Sequence, residues 1–514
     1  MQINHFFFVV GGGRGLGAAV VAALLGLALS GCAWAPAASA PAAGVSVTQA
    51  LGTPLAADWR NPWPEGAVPA QAPEQTAPAL PAPAQAYPAP AELAHWWRAF
   101  DDPALSALIE QSLQAHTSVR AAEAALQQAR ALNAISLAGQ GPQLQASASA
   151  QRAQAGQGSA ASAWRAGLDA SWELDWFGQR RMAEAATAAE VQAASAQFGH
   201  VRVSLAAEVA LNYLEWRALQ QRLGVVQRRL ALQEEFVQIV GWRVQAGLMS
   251  GQDLEQARLN LAQLRATLPE LQAGLGQAEA ALAVLSGRPP QTALNLPASG
   301  IPVAGAALAR AIPADTLLQR PDVQRAQARL AAALARSAQA DAQRWPTLAL
   351  GGTLDWRSPR VSDLFDAGAL TRTLLLRLVA SLYDGGAARA QVQVQQAAAE
   401  QVRIELEAAV LTALREVEHA LLALQASEQR LQNLTQAAEA AAEVEALALL
   451  RLTSGLIDYR IWLDARHNLL TAQIELANAR AAWSADHVRL VKALGGGWNA
   501  ADVQAARPQN DNTP

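Results

Sequence analysis

The chain has 514 residues, 52% of them hydrophobic and 16% charged, with a formal net charge of −4. So mild a charge, with no basic patch interleaved with aromatics, speaks against a nucleic-acid partner, and a cysteine count of one excludes an internal disulfide. The length admits three domains, but a long-range self-similarity argues instead for two interwoven halves.

That similarity has an offset of 208 residues. Arg243-Val-Gln-Ala-Gly247-Leu-Met reads onto Arg451-Leu-Thr-Ser-Gly455-Leu-Ile, and Ala257-Arg-Leu-Asn-Leu261 onto Ala465-Arg-His-Asn-Leu469. The same offset places Gly178 on Gly386 and Arg181 on Arg389, while an offset of 204 places Val119 on Val323 and Pro142 on Pro346. Two tandem copies of one unit suit a symmetric body such as a tube.

Residues 1–31 read as a secretory signal, with Arg14 ahead of an apolar run from Leu16 to Leu29. The run is too short to span a bilayer as a helix. It closes on Leu29-Ser30-Gly31-Cys32, which resembles the bacterial lipobox. That resemblance implies that Cys32 becomes the first mature residue and carries diacylglycerol and an N-acyl chain; no other cofactor is expected. Ala33, in place of a retention aspartate, implies sorting to the outer membrane. Residues 32–94 are rich in Pro and Ala and cannot build a packed core, so they are expected to form an extended tether.

The first copy spans residues 95–300. Asp102 is placed to cap a helix that takes Pro103 at its first position and runs through Leu105, Leu108, Ile109 and Leu113 towards Leu137, where Gly139-Gln-Gly141-Pro142 stops it. Gln143 to Arg152 and Ser162 to Leu174 then alternate larger apolar residues with small or polar ones, at a length that suits strands crossing an outer membrane. The second copy, 301–499, supplies Trp345 to Trp356 and Thr371 to Tyr383 in the equivalent places. Residues 500–514 are expected to be a disordered tail.

After each strand pair a glycine turn, at Phe177-Gly178 or Asp384-Gly385-Gly386, opens a long helical pattern free of proline up to Ala246 or Ser454. At about 1.5 Å per residue such a helix is a rod of roughly 100 Å. Charges recur along it, so it does not cross the membrane. Heptad spacing holds through Trp216, Leu219, Leu223, Val226, Leu230, Gln233, Val237, Val240 and Val244, and through Val410, Leu414, Val417, Leu421, Leu424, Glu428 and Leu431. The spacing indicates coiled-coil packing. Each rod is expected to turn at Gly247 or Gly455 and return as a shorter helix, an antiparallel hairpin.

Four strands cannot close a barrel, and an open edge facing lipid leaves backbone groups unsatisfied at several kcal/mol each. Bacterial barrels begin at about eight strands. Several chains must therefore share one barrel, and the strand count leaves a dimer and a trimer both open.

Catalysis finds little support in these residues. Lys492 is the sole lysine and follows Val491, so no Gly-Lys phosphate loop exists. The seven histidines are scattered without metal-ligand spacing. Glu416, Glu418 and His419 read as a solvated helical face.

Taken in order, Trp96-Trp97 to Pro103-Ala-Leu105, Trp172-Glu-Leu-Asp-Trp-Phe-Gly178, Arg320-Pro321-Asp322-Val323, Leu382-Tyr-Asp-Gly-Gly386, Arg415-Glu-Val-Glu418, Gly455 to Ala465 and Lys492-Ala-Leu-Gly-Gly-Gly-Trp498 resemble the TolC-type outer-membrane efflux channels, most closely their lipoprotein branch. The resemblance implies a mainly α fold with a membrane β-barrel. It would be a homotrimer whose twelve-stranded barrel is continuous with an α-helical tunnel, girdled by an equatorial domain from Pro289 to Pro313 and the chain after Leu494. It implies the outer-membrane duct of a resistance-nodulation-division pump, reached through a periplasmic adaptor and driven by the inner-membrane pump.

In that family the tips face the adaptor, here near Gly247, Asp253 and Gly455, and acidic residues close the tip. Asp464 occupies one such position, with Ile461 where relatives carry a second acid and Arg460 one turn earlier. An Arg460–Asp464 latch between neighbouring chains and a plain solvated face are both open readings. His116 stands where many relatives have asparagine. Two other functions remain: the conduit of a type I protein secretion system, and a non-transporting coiled-coil spacer. The lipobox and the Lys492 to Trp498 ending favour the pump branch.

Overall fold

A computed structural model describes residues 94–154, 156, 158–297, 299–303 and 319–498. The signal, Cys32 with its tether, much of the Pro289 to Pro313 segment and the tail from 499 lie outside the described residues.

The elements repeat almost residue for residue. Helices α1 (Pro103–Ala115) and α2 (Thr117–Ala138) lead to strands β1 (Gln143–Ala153) and β2 (Ala161–Leu174), then to helices α3 (Gln179–Gln245) and α4 (Gly251–Leu285). The second copy supplies α5 (Pro321–Ala342), β3 (Thr347–Ser358), β4 (Leu370–Val379), α6 (Ala387–Thr453) and α7 (Tyr459–Ala493). Both long helices have 67 residues, both return helices 35, and α2 and α5 have 22 each. The chain divides into two compact units, and each draws on both copies: one holds 127–193 and 326–406, the other 194–325 and 407–498 with the start of the described chain.

Three elements differ from the sequence expectation by more than one residue, and one of them is strand β3, which runs from Thr347 to Ser358 and leaves Trp345 outside it. The first helix does not run to Leu137 unbroken. His116 adopts an extended backbone (φ −66°, ψ 137°), ending α1, and its Nδ1 accepts the Ser118 N–H at 3.3 Å while lying 2.7 Å from the Ser118 hydroxyl. The imidazole thus caps α2 in the manner of the short polar residues usual there. Strand β4 ends at Val379, so Leu382 and Tyr383 lie beyond it, 86% and 92% exposed.

The long helices begin on carboxylate caps. Asp175 accepts the backbone N–H groups of Arg180 (3.0 Å) and Arg181 (2.9 Å), and Asp384 those of Gly386 and Ala388 (both 2.8 Å). Gly178, Gly385 and Gly386 take positive φ, which only glycine adopts without strain. The predicted heptad positions of α3 and α6 are all buried or half-buried.

In the unit that holds α1 and α4, Trp96, Trp97, Leu105, Ile109, Tyr213, Leu214 and Leu282 are fully buried. Asp102 caps α1 through the N–H groups of Ala104 (2.9 Å) and Leu105 (3.1 Å), and its second oxygen accepts the Tyr213 hydroxyl at 2.8 Å. That hydroxyl accepts in turn from the Arg217 guanidinium at 2.6 and 2.9 Å. Arg217 is buried, lies over the Tyr213 and Trp216 rings, and also donates to Gln220 at 3.1 Å. Burial pushes the Tyr213 hydroxyl up to about 12.

The Arg320-Pro-Asp322 motif is a second buried anchor in this unit. Arg320 donates to Asp322 (2.7 and 3.0 Å), to Glu416 (2.7 Å) and to the Ala493 carbonyl. Beyond α7, the backbone turns at Gly495 and Gly497 lay the Trp498 ring against Gly199, where a Cβ would stand 2.7 Å from the indole. Residues 495–498 are thereby packed against α3 at Gly199.

Candidate functional site

The functional candidates fall in two places, each built by its own unit. The first is the four-stranded antiparallel sheet, in the order β1-β2-β3-β4. Side chains alternate across a strand, so the register assigns every residue to a face. Ala150 pairs with Trp164, Ala146 with Leu168, Ala166 with Trp356, Leu168 with Leu354, Leu350 with Leu376 and Leu348 with Leu378. One face is therefore apolar from edge to edge, with Leu144, Leu374, Leu376 and Leu378 between 65% and 80% exposed. Its exceptions are Ser162, Ser358, Arg152 and Arg372.

The opposite face carries Gln143, Gln145, Ser147, Ser149 and Gln151 on β1, Asp169 and Arg165 on β2, Thr353, Asp355 and Arg357 on β3, and Thr371, Thr373 and Arg377 on β4. Leu375 and Val379 interrupt it. Asp355 binds Arg165 at 2.8 Å and Arg357 at 3.0 Å, above Gly167, whose missing side chain leaves room for the carboxylate.

On the apolar face, Trp164 and Trp356 stand near the hairpin loops and Trp172 near the helix starts. Eight residues separate Trp164 from Trp172, a path of about 27 Å at 3.4 Å per residue. Indoles at both ends of an apolar band mark membrane interfaces. At the helix end, Trp172 Nε1 donates to the Gln140 carbonyl at 2.9 Å, Phe177 stacks on Trp345 at 5.5 Å, and Arg180 binds Glu173 at 2.6 Å.

The second place is the pair of helix tips. Both long helices end in the same motif: Gly247 (φ 72°) and Leu248 donate to Val244 and Arg243, as Gly455 (φ 74°) and Leu456 donate to Leu452 and Arg451. The caps that follow differ. Ser250 and Asp253 form a capping box on α4, and the Ser250 hydrogen bonds hold the Asp253 carboxyl below its ordinary range. On α7 the cap is Asp458, which accepts the Arg460 N–H at 2.9 Å.

Arg460 and Asp464 are both exposed and form no ion pair with each other within the chain. The Arg460 charge bears instead on Asp253 and Asp458, and that of Asp464 on His467. The tips bring together residues that sequence reasoning passed over. Arg243 Nη1 lies 2.9 Å from Asp458 Oδ2, joining the end of α3 to the start of α7. Phe236 stacks on Tyr459 at 6.4 Å. The buried Glu445 of α6 accepts from Trp462 Nε1 (3.0 Å) and binds Arg466 (3.2 Å), fixing α7 to its own partner helix. One signal was available: Arg222, Arg229, Phe236 and Arg243 recur every seven residues, one place before the apolar positions 223, 230, 237 and 244.

Among the described residues no helix is long and apolar enough to cross a membrane. A family model for the outer membrane efflux protein matches residues 108–288 and 312–496. The toluene efflux pump outer membrane protein TtgF of Pseudomonas putida is 30% identical over 426 residues, covering 81% of this chain and 88% of that protein. The solved outer-membrane channel OprN is 31% identical, with a TM-score of 0.72 over 79% of this chain and 93% of that one. The outer membrane protein VceC of Vibrio cholerae is 26% identical, with a TM-score of 0.71 over 79% of this chain and 99% of that one. The chain belongs to the outer membrane efflux protein family, and it is the outer membrane channel component of an efflux system.

Proposed function

We propose that three copies of the chain close one twelve-stranded barrel, and that the trimer is a passive exit duct for drugs or other small solutes expelled by an inner-membrane pump through a periplasmic adaptor. The observation that carries this is the two-faced sheet, whose apolar band suits lipid while its Gln, Ser, Thr and paired-charge face suits a wet lumen. Strands β1 and β4 are the free edges, and each finds a partner in a neighbouring copy. The relative from a toluene pump supports a cargo of small organic solutes.

On this reading Cys32 carries the lipid that ties the duct to the outer membrane, and Gly247, Asp253 and Gly455 present the tips to the adaptor. Arg460 and Asp464 stand at the periplasmic gate, their exposed charges free to meet those of neighbouring copies. No residue is assigned a catalytic role.

Purified mature protein in planar bilayers tests the reading. Wild type should show a small, mostly closed conductance that rises in Asp464→Ala or Arg460→Ala. A protein that conducts in no preparation and stays soluble without detergent would overturn it in favour of a spacer.

A further inference from the structure

Helices α3 and α7 meet along a seam whose steps follow the heptad of α3. Arg243 pairs with Asp458, Phe236 stacks on Tyr459, and the Arg229 charge bears on His467. Arg222 and Arg229 then line, with Ile474, a cavity of about 860 Å³. Three of the four α3 residues are cations, and at the third step the residue met on α7 is an imidazole where a carboxylate would pair. The His467 Nε2 is buried and has no hydrogen-bond partner.

We propose that His467 is a proton-operated wedge in this seam: neutral, it packs between the hairpins, and once protonated it drives α7 away from α3 and favours the open tip. The Arg229 charge reaches it from α3, Asp464 and Arg466 are its neighbours along α7, and Glu445 of α6 is already engaged by Trp462 and Arg466. Burial first, and Arg229 second, hold the imidazole below its ordinary range, while the Asp464 charge opposes them.

A separated seam returns the imidazole to water and to its ordinary value near 6.5. The packed state therefore binds fewer protons than the separated one, and acidification through the interval between the two values shifts the population towards separation. Arg229 cannot discharge itself to relieve the conflict. The first copy carries Leu259 at the equivalent position, so the device belongs to the second hairpin alone. This step shares the Asp464 charge with the proposed Arg460–Asp464 gate and uses no other residue of it.

The test is open probability in planar bilayers between pH 7.5 and 5.5, on full-length protein whose oligomer is verified by size-exclusion chromatography in detergent. Wild type should gain at least about threefold in open probability, a small part of the tenfold that one pKa unit supplies. His467→Gln should stay flat, and Arg229→Gln should show a weaker rise. If His467→Gln fails to assemble, His467→Leu, which copies the first hairpin, gives the same reading. A flat wild-type profile, or an undiminished rise in either His467 variant, overturns the proposal, and conductance at pH 7.5 reads the channel separately.

Discussion

Arg243 and Asp458, 215 residues apart in sequence, meet at 2.9 Å and join the tips of the two helical hairpins. Asp458 also caps α7, so its two duties separate by substitution. Asp458→Asn retains a capping side chain and loses the ion pair, whereas Asp458→Ala loses both. Because both partners are exposed, the pair adds at most about 1 kcal/mol to stability. Single-channel recordings should show raised open probability in Asp458→Asn and Arg243→Gln with melting temperatures close to wild type. An unchanged open probability in both would remove this contact from the gate.

The same pair has a pH limit. The Arg460 N–H, then the Arg243 guanidinium, hold the Asp458 carboxyl below its ordinary range. The contact therefore persists above the usual carboxylate value of about 3.9 and is lost only as pH falls through the lower folded-state value. Any opening between pH 7.5 and 5.5 must then arise elsewhere in the seam. Asp458→Asn should leave the shape of the conductance profile in that interval unaltered.

Tyr213→Phe removes the hydroxyl that stands between Asp102 and Arg217, leaving a buried guanidinium with Gln220 as its remaining acceptor. An unsatisfied buried donor costs about 1–3 kcal/mol, and more when charged. Chemical denaturation should show a loss in that range. Asp102→Ala should cost more, since it removes the α1 cap as well, worth about 1 kcal/mol. In an ultraviolet titration, the tyrosine restored between Tyr213→Phe and wild type should ionise only at about 12.

Arg320→Ala strips three acceptors of one buried cation and should cost about 3–5 kcal/mol. Burial pushes the Asp322 carboxyl up, and the Arg320 hydrogen bonds and charge outweigh it and leave it below its ordinary range. Its contribution is thus present above about pH 4 and lost as pH falls through the depressed value. The difference in melting temperature between wild type and Asp322→Asn should be constant from pH 7 to 5 and shrink below 4.

Leu374 lies on the apolar face of β4, level through Gly352 with Ala170 and so inside the span between Trp164 and Trp172. Leu374→Arg places a cation in lipid, at a cost that approaches about 2–4 kcal/mol towards the bilayer midplane. Membrane fractionation should show reduced insertion. Thr373→Arg, on the polar face of the same strand, should insert normally and alter ion selectivity, and equal loss in both variants would contradict the assignment of faces.

How much of this was legible before folding depended on whether the signal was local. The equal lengths of α3 and α6 follow from proline-free heptads, and their ends from glycines that alone take the turn without strain. His116 escaped because an imidazole is an uncommon cap and the apolar spacing runs through it without a break. Nor could β4 be closed at Val379, since Leu382 and Tyr383 continue its apolar character past the last ladder residue.

The sequence by itself determined the duplication, the helix lengths, the two-faced strands and the family, because each is written in spacings within a few tens of residues or in motifs of fixed order. Only the tertiary structure decided that Arg243 meets Asp458, that the His467 Nε2 is buried without a partner, and that Gly167 makes room for Asp355. These depend on the register at which one helix or strand lies against another. A heptad repeats every turn of the supercoil, and alternation repeats every second residue, so either pattern fits many registers equally well. The register is chosen by the whole set of contacts made at once.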